Sequence, residues 1–125
     1  MGLFRVDLDV ADVRRAARAA RVTGVLVDTG SELTWLPAEK LTKAGVRVAK
    51  KDVLFVLANG AEVKRATGYA IIRAEGFETV DEIVFAQDGD LSLLGARTLE
   101  GFGAVVDPRR KRIAAAGPHV AARVR

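Results

Sequence analysis

The chain has 125 residues, one histidine, no cysteine and a formal net charge of +4, and that length suits one domain around one core. Half of the residues are hydrophobic and 29% are charged, which excludes a disordered polar chain, and no apolar run approaches the roughly 18 residues that a membrane helix needs. Disulfides and thiol chemistry are excluded, a single histidine leaves zinc without a ligand set, and a cytoplasmic protein without a metal or other cofactor is expected.

The N-terminus, Met1-Gly2-Leu3-Phe4-Arg5-Val6, lacks a basic region followed by a long apolar stretch, and position 6 lacks the hydroxyl of a myristoylation site. Basic residues gather early (Arg14, Arg15, Arg18, Arg21) and late (Arg109, Arg110, Lys111, Arg112, Arg123, Arg125). Few aromatics interleave them, so they read as solvated loops and a basic tail, and nucleic acid is not an expected partner.

Residues 3–10 alternate, with Phe4, Val6, Leu8 and Val10 on one side and Arg5, Asp7 and Asp9 on the other, which predicts a half-buried strand. Residues 11–21 fit two descriptions. Val13, Ala16, Ala17 and Ala20 fall at helical spacing; a polar turn leading into a strand is the alternative. Residues 22–27 form an apolar strand that ends at Asp28, with Gly24 as a bulge. A turn at Thr29-Gly30 leads to a short strand over 32–36 and a helix over 37–44, opened by Pro37 and closed by Gly45.

Residues 52–58 and 61–65 are strands joined by Asn59-Gly60, the pattern of a two-residue turn with positive φ at both positions. Thr67-Gly68 bends the second strand, which continues over 69–74, and Glu75-Gly76 turns into a strand over 77–85. After a turn at Gln87-Asp88-Gly89-Asp90 comes a buried strand over 91–95. A single helical turn over 96–100 is stopped by Gly101. Strands over 102–107 and 111–115 flank a turn at Asp107-Pro108. The domain is expected to span 1–117, with a basic tail over 118–125. Many short strands with turn signals between them predict an all-β sandwich or partly open barrel. Trp35, Tyr69 and Phe77 read as packing residues, and Glu32 as either a surface charge or a residue facing a second subunit.

Little chemistry is on offer. Gly101-Phe102-Gly103 lacks the third glycine of a dinucleotide fingerprint, and there is no P-loop. Ser31 or Ser92 with His119 would make a nucleophile and base, but His119 lies in the tail. The Gln87–Asp90 turn is too short for a calcium loop. Asp28 remains. An acid at the end of a buried strand is costly unless hydrogen-bonded or neutral, and chains accept that cost at turns and at active sites. One carboxylate alone cannot do acid–base hydrolysis efficiently, because base and acid must both be present in the right protonation states. Two held close share a proton, so one can activate water while the other protonates a leaving amine. The chain has no second Asp-Thr-Gly or Asp-Ser-Gly, so a pair requires two copies across a two-fold axis.

Leu26-Val27-Asp28-Thr29-Gly30-Ser31 resembles the catalytic motif of the retropepsin-like aspartic proteases of clan AA, the single-lobe dimeric relatives of pepsin. Leu93-Leu94-Gly95 resembles the family's second motif, and Asn59-Gly60 falls where the family has its flap. Thr98-Leu99-Glu100-Gly101-Phe102-Gly103 and Val106-Asp107-Pro108 resemble the closing helix and strand of small bacterial and archaeal members. Together these cover residues 1–115.

The resemblance implies a closed or partly open β-barrel with one or two short helices, homodimeric, hydrolysing peptide bonds with no cofactor. Asp28 would be the catalytic carboxylate, Thr29 would bond across the dimer axis, and the Gly30 amide would approach the carboxylate. Ser31 would bond its outer oxygen. Ala58, Asn59, Gly60 and Ala61 would close over an extended peptide, and Leu94 and Gly95 would let strands cross beside the site. A non-catalytic dimeric peptide- or protein-binding module of the same fold is the alternative. The Ala/Arg-rich segment over 11–21 and the tail after His119 depart from the family's pattern.

Overall fold

Strand β1 (Arg5–Ala11) buries Val6, Leu8 and Val10 and exposes Arg5 and Asp7, as the alternation predicts, in a computed structural model that describes residues 4–118. The basic tail beyond Pro118, His119 included, lies outside the described residues, as does Leu3 at the start of the first expected strand.

No helix forms over 11–21. Ala11 ends β1 and pairs with Ala19, the first residue of β2 (Ala19–Val27), and only a 3-10 turn, Val13–Arg15, lies between them. Asp12 is the reason. Its carboxylate accepts from the Arg14 amide at 3.3 Å and the Arg14 Nε at 2.7 Å, offering the backbone a local alternative to a helix. Val13, which a helix would bury, is half exposed. The strand therefore starts at Ala19 rather than Val22. The expected bulge is present: β1 advances from Val6 to Leu8 while β2 retreats from Val25 to Val22, and Gly24 takes up the extra residue with φ +66.

Strand β3 (Thr34–Pro37) begins two residues later than predicted. Pro37 caps α1 (Ala38–Lys43) instead of opening it, and Leu41 of that helix is fully buried. Strand β4 (Lys50–Val56) pairs with β5 (Glu62–Ala74), and β5 pairs with β6 (Phe77–Ala86). Thr67-Gly68 does not break β5, which runs straight through and changes partners there: β4 borders residues 62–67, and β6 borders 67–74. Strand β7 shrinks to Leu93–Leu94. Helix α2 (Ala96–Phe102) continues through Gly101 and stops at Gly103, whose φ of +67 supplies the left-handed cap. Strands β8 (Ala104–Asp107) and β9 (Arg112–Ala115) form a separate hairpin.

The main sheet runs β1-β2-β7-β3-β6-β5-β4, and a further pairing of β1 with β5 closes its first six strands into a ring. Closure removes the sheet edges of those strands and leaves β4 as a flange carrying a hairpin. Inside the ring, Leu8, Val10, Val25, Leu36, Ile72 and Leu94 are fully buried, each contributing about 1.5–3 kcal/mol by leaving water. Phe77 is half buried and stacks on Phe102 at 5.7 Å, whereas Tyr69, read from the sequence as packing, is 48% exposed. Among the described residues no helix is long and apolar enough to cross a membrane.

Candidate active site

Asp28 follows the last residue of β2 at the crossing of three strands. Strand β7 lies parallel to β2, pairing Val27 with Leu94, and antiparallel to β3, pairing Leu93 with Trp35. The Asp28 amide donates to the Leu94 carbonyl at 2.9 Å, and the Asp28 carbonyl accepts from Ser31 at 3.1 Å, closing a tight turn over Asp28-Thr29-Gly30-Ser31. Within it, the Gly30 amide donates to Asp28 Oδ1 at 2.9 Å. A carboxylate that accepts a backbone amide is fixed in direction, which a reacting group needs. A Cβ on Gly30 would meet that same oxygen at 3.1 Å, so the approach leaves little room for a side chain. Asp28 is half buried, while Thr29 and Gly30 are exposed in the single chain.

Gly95 is constrained more severely. Its Cβ would lie 2.6 Å from the Leu33 carbonyl carbon and 2.8 Å from the Ser31 oxygen, so only glycine lets β7 pass behind the Asp28 turn. The next amides, Ala96 and Arg97, donate to the Ser31 and Glu32 carbonyls at 2.8 and 3.0 Å. Helix α2 thus holds the turn from behind. The Ser31 hydroxyl does not reach the carboxylate as expected; it donates to the Leu33 carbonyl at 2.7 Å, a nearer acceptor within its own loop.

Opposite Asp28 stands the β4–β5 hairpin. Its loop is one residue longer than Asn59-Gly60 suggested. The Leu57 amide donates to the Ala61 carbonyl at 2.8 Å and the Gly60 amide to the Leu57 carbonyl at 2.9 Å, so Ala58, Asn59 and Gly60 form a three-residue loop. Gly60 alone has positive φ, +85, and the Asn59 side chain accepts from the Ala61 amide at 2.9 Å. All four predicted hairpin residues are exposed.

Between hairpin and turn lies a cavity of about 790 Å³. Asp28, Gly30, Ser31, Ala58 and Asn59 line it together, whereas Thr29, Gly60, Ala61, Leu94 and Gly95 do not. The sequence reading missed its apolar wall, formed by Leu33, Trp35, Phe55 and Leu57. Trp35 packs edge-on against Phe55 with centroids 5.1 Å apart, so it is both a packing residue and part of the wall. The signal was the unbroken apolar run Val53-Leu54-Phe55-Val56-Leu57 leading into the loop, in which Phe55 and Leu57, both half buried, lie in step on one face. Glu32 also lines the cavity and is exposed. Among the described residues no three His, Cys, Asp or Glu side chains gather as metal ligands.

No protein-family model matches the sequence, and no curated protein matches it. Solved structures do. The EIAV protease complexed with the inhibitor HBY-793 superposes with a TM-score of 0.58 at 17% identity, over 82% of this chain and 90% of that one. The retroviral protease-like domain of Ddi1 from Leishmania major gives 0.53 at 13% identity, over 90% and 88%. At such identities the likeness is one of fold, and the chain has the retropepsin-like fold.

Proposed function

We propose that the chain is an aspartic endopeptidase of the small prokaryotic retropepsin-like type, active as a homodimer. The observation that carries this reading is the Asp28 carboxylate, held by the Gly30 amide at 2.9 Å on the wall of the cavity beneath the hairpin. Two copies meeting at their exposed Thr29 and Gly30 would bring two such carboxylates together. They would share one proton, as in the aspartic-protease dyad that is the standard example of this behaviour. The ionised member takes a proton from water, which attacks the scissile carbonyl; the protonated member hydrogen-bonds the developing oxyanion. A proton then passes to the leaving amine. No covalent intermediate forms. An extended peptide would lie between turn and hairpin as an added strand, its apolar side chains against Trp35 and Phe55, with Ala58, Asn59, Gly60 and Ala61 closing over it.

The test is Asp28→Asn assayed on a peptide library from pH 4 to 7, beside sedimentation of the wild type. Loss of cleavage in the variant, insensitivity of the wild type to chelators, and a dimer in solution are expected. Undiminished cleavage by Asp28→Asn, or a strict monomer, overturns the reading. A tight dimer without cleavage at any pH favours a peptide-binding module instead.

A further inference from the structure

A chain of hydrogen bonds through two buried hydroxyls runs from β6 to the peptide plane that holds Asp28. Thr98 Oγ1 donates to Asp81 Oδ2 at 2.9 Å. That uses its only proton, so the 2.6 Å contact between Thr34 Oγ1 and Thr98 Oγ1 has Thr34 as donor. Thr34 Oγ1 in turn accepts from the Gly95 amide at 2.9 Å. Both hydroxyls are fully buried. The direction is therefore fixed: Gly95 N–H to Thr34 to Thr98 to the Asp81 carboxylate. The far end is anchored as well, since Asp81 Oδ1 accepts from the Glu82 amide at 2.7 Å and lies 3.9 Å from the Arg97 guanidinium.

The near end carries the consequence. The Gly95 N–H and the Leu94 C=O belong to one planar peptide unit. The N–H side is held by Thr34, and the C=O side accepts the Asp28 amide at 2.9 Å. A rotation of that plane would move both bonds together. We propose that Thr34, Thr98 and Asp81 are positioning residues: the hydroxyl relay from Asp81 fixes the Leu94–Gly95 peptide plane and, through it, the direction of the Asp28 carboxylate. A charged terminus strengthens a hydrogen-bond chain and lets the hydroxyls point only one way. The kinetic part of this proposal rests on the endopeptidase reading; the structural part does not.

The experiment uses Thr98→Val, which keeps the shape and removes the relay's central hydroxyl, with Thr98→Ser as the conservative variant that restores it. Amide hydrogen exchange is followed at Gly95 and Asp28 and, as an internal reference, at Ile72 in β5. In Thr98→Val, exchange at Gly95 and Asp28 rises by about five- to tenfold, the equivalent of one lost hydrogen bond, while Ile72 is unchanged; Thr98→Ser returns it to the wild-type rate. In the peptide assay, Thr98→Val lowers kcat by a similar factor with KM unchanged. If the full chain of Thr98→Val does not fold, Thr34→Ser and Thr98→Ser replace it, and both are expected to keep wild-type exchange at Gly95. The proposal is overturned if Thr98→Val leaves Gly95 and Asp28 exchange unchanged, if Ile72 accelerates equally, if kcat is unaffected while cleavage by the wild type depends on Asp28, or if either serine variant loses Gly95 protection. Absence of cleavage in the wild type removes the endopeptidase reading and leaves the exchange result to decide the relay.

Discussion

Arg65 and Asp90 meet fork to fork, Nε to Oδ2 at 2.7 Å and Nη2 to Oδ1 at 2.9 Å, with both side chains largely buried. The pair ties the return strand of the hairpin to the turn over Gln87–Asp90 at the mouth of the cavity, and Asp90 is one of the cavity's lining residues. It is a bidentate contact that lysine could not reproduce.

Arg65→Met keeps the apolar stem and leaves Asp90 buried without its partner. It is expected to cost about 1–3 kcal/mol at pH 7. The Arg65 hydrogen bonds hold the Asp90 carboxyl below its usual range against the opposing effect of burial, helped by the Gln87 amide. A carboxyl lowered in the folded state contributes stability above its unfolded pKa of about 4 and loses it as pH falls through the folded value. The difference between wild type and variant should therefore be full at pH 7 and shrink below about pH 4. Urea unfolding at pH 7 and pH 3 measures it, and an equal difference at both would show the pair to be irrelevant to acid stability.

Two glycines beside Asp28 separate the stability of the fold from the placement of the carboxylate. Gly95→Ala drives a Cβ into the Leu33 and Ser31 backbone, which cannot swing away, and is expected to cost about 3 kcal/mol or more. Gly30→Ala meets only the Asp28 carboxylate oxygen, at 3.1 Å, and Gly30 does not require positive φ. It should change stability by about 1 kcal/mol or less while displacing the carboxylate and, on the proposed endopeptidase reading, lowering cleavage. Thermal unfolding of both, with peptide turnover of Gly30→Ala beside the wild type, checks the contrast; a Gly30→Ala variant that keeps the full turnover of the wild type would contradict it.

What was legible in the sequence was whatever one strand or turn decides alone. The alternation from Phe4 to Val10 placed β1, and the apolar run into Asp28-Thr29-Gly30 placed the turn. Thr34 and Thr98 lie 64 positions apart, so nothing local announces that their hydroxyls meet, although a threonine inside a buried strand must find some partner. The end of α2 was misplaced because Gly101 and Gly103 are equally good stop signals. Only the fold reveals that Gly101 stays helical with its bare Cα against the Thr79 side chain. The loop at Asn59-Gly60 was misjudged for a similar reason: the dipeptide suits a two-residue turn and also the last two places of a three-residue one. The segment over 11–21 turned on Asp12, whose carboxylate outweighs the helical spacing of Ala16, Ala17 and Ala20.

Glu82 makes a second acid-sensitive contact, on the strand next to the hairpin's return strand. Burial pushes its carboxyl up, but the Thr67 hydroxyl at 2.7 Å and the Lys50 ammonium at 3.3 Å outweigh burial and hold it below the usual range. Thr67→Val removes the closest donor and should destabilise the protein by about 1–2 kcal/mol at neutral pH. The sign matches that of Asp90: the lost stability is present above about pH 4.3 and fades as Glu82 protonates below it. Unfolding midpoints of wild type and Thr67→Val that fail to converge toward pH 3 would place the cost elsewhere.

The hairpin loop supplies the last test, because its strain is local. Gly60 holds φ at +85 with no atom within 4 Å of where a Cβ would stand, so Gly60→Ala meets no clash but pays about 1–2 kcal/mol of left-handed strain. Leu57 and Ala61 close the loop through a single backbone bond at 2.8 Å. The strain therefore opens the loop rather than the barrel, whose ring of six strands is built without it. The expected result is faster amide exchange at Leu57 and Gly60 with the melting temperature nearly unchanged. If the hairpin covers bound peptide, KM rises more than kcat falls, since a loosened cover weakens binding before it disturbs Asp28. A drop in melting temperature without faster exchange at Leu57 would show that the loop and barrel unfold as one unit.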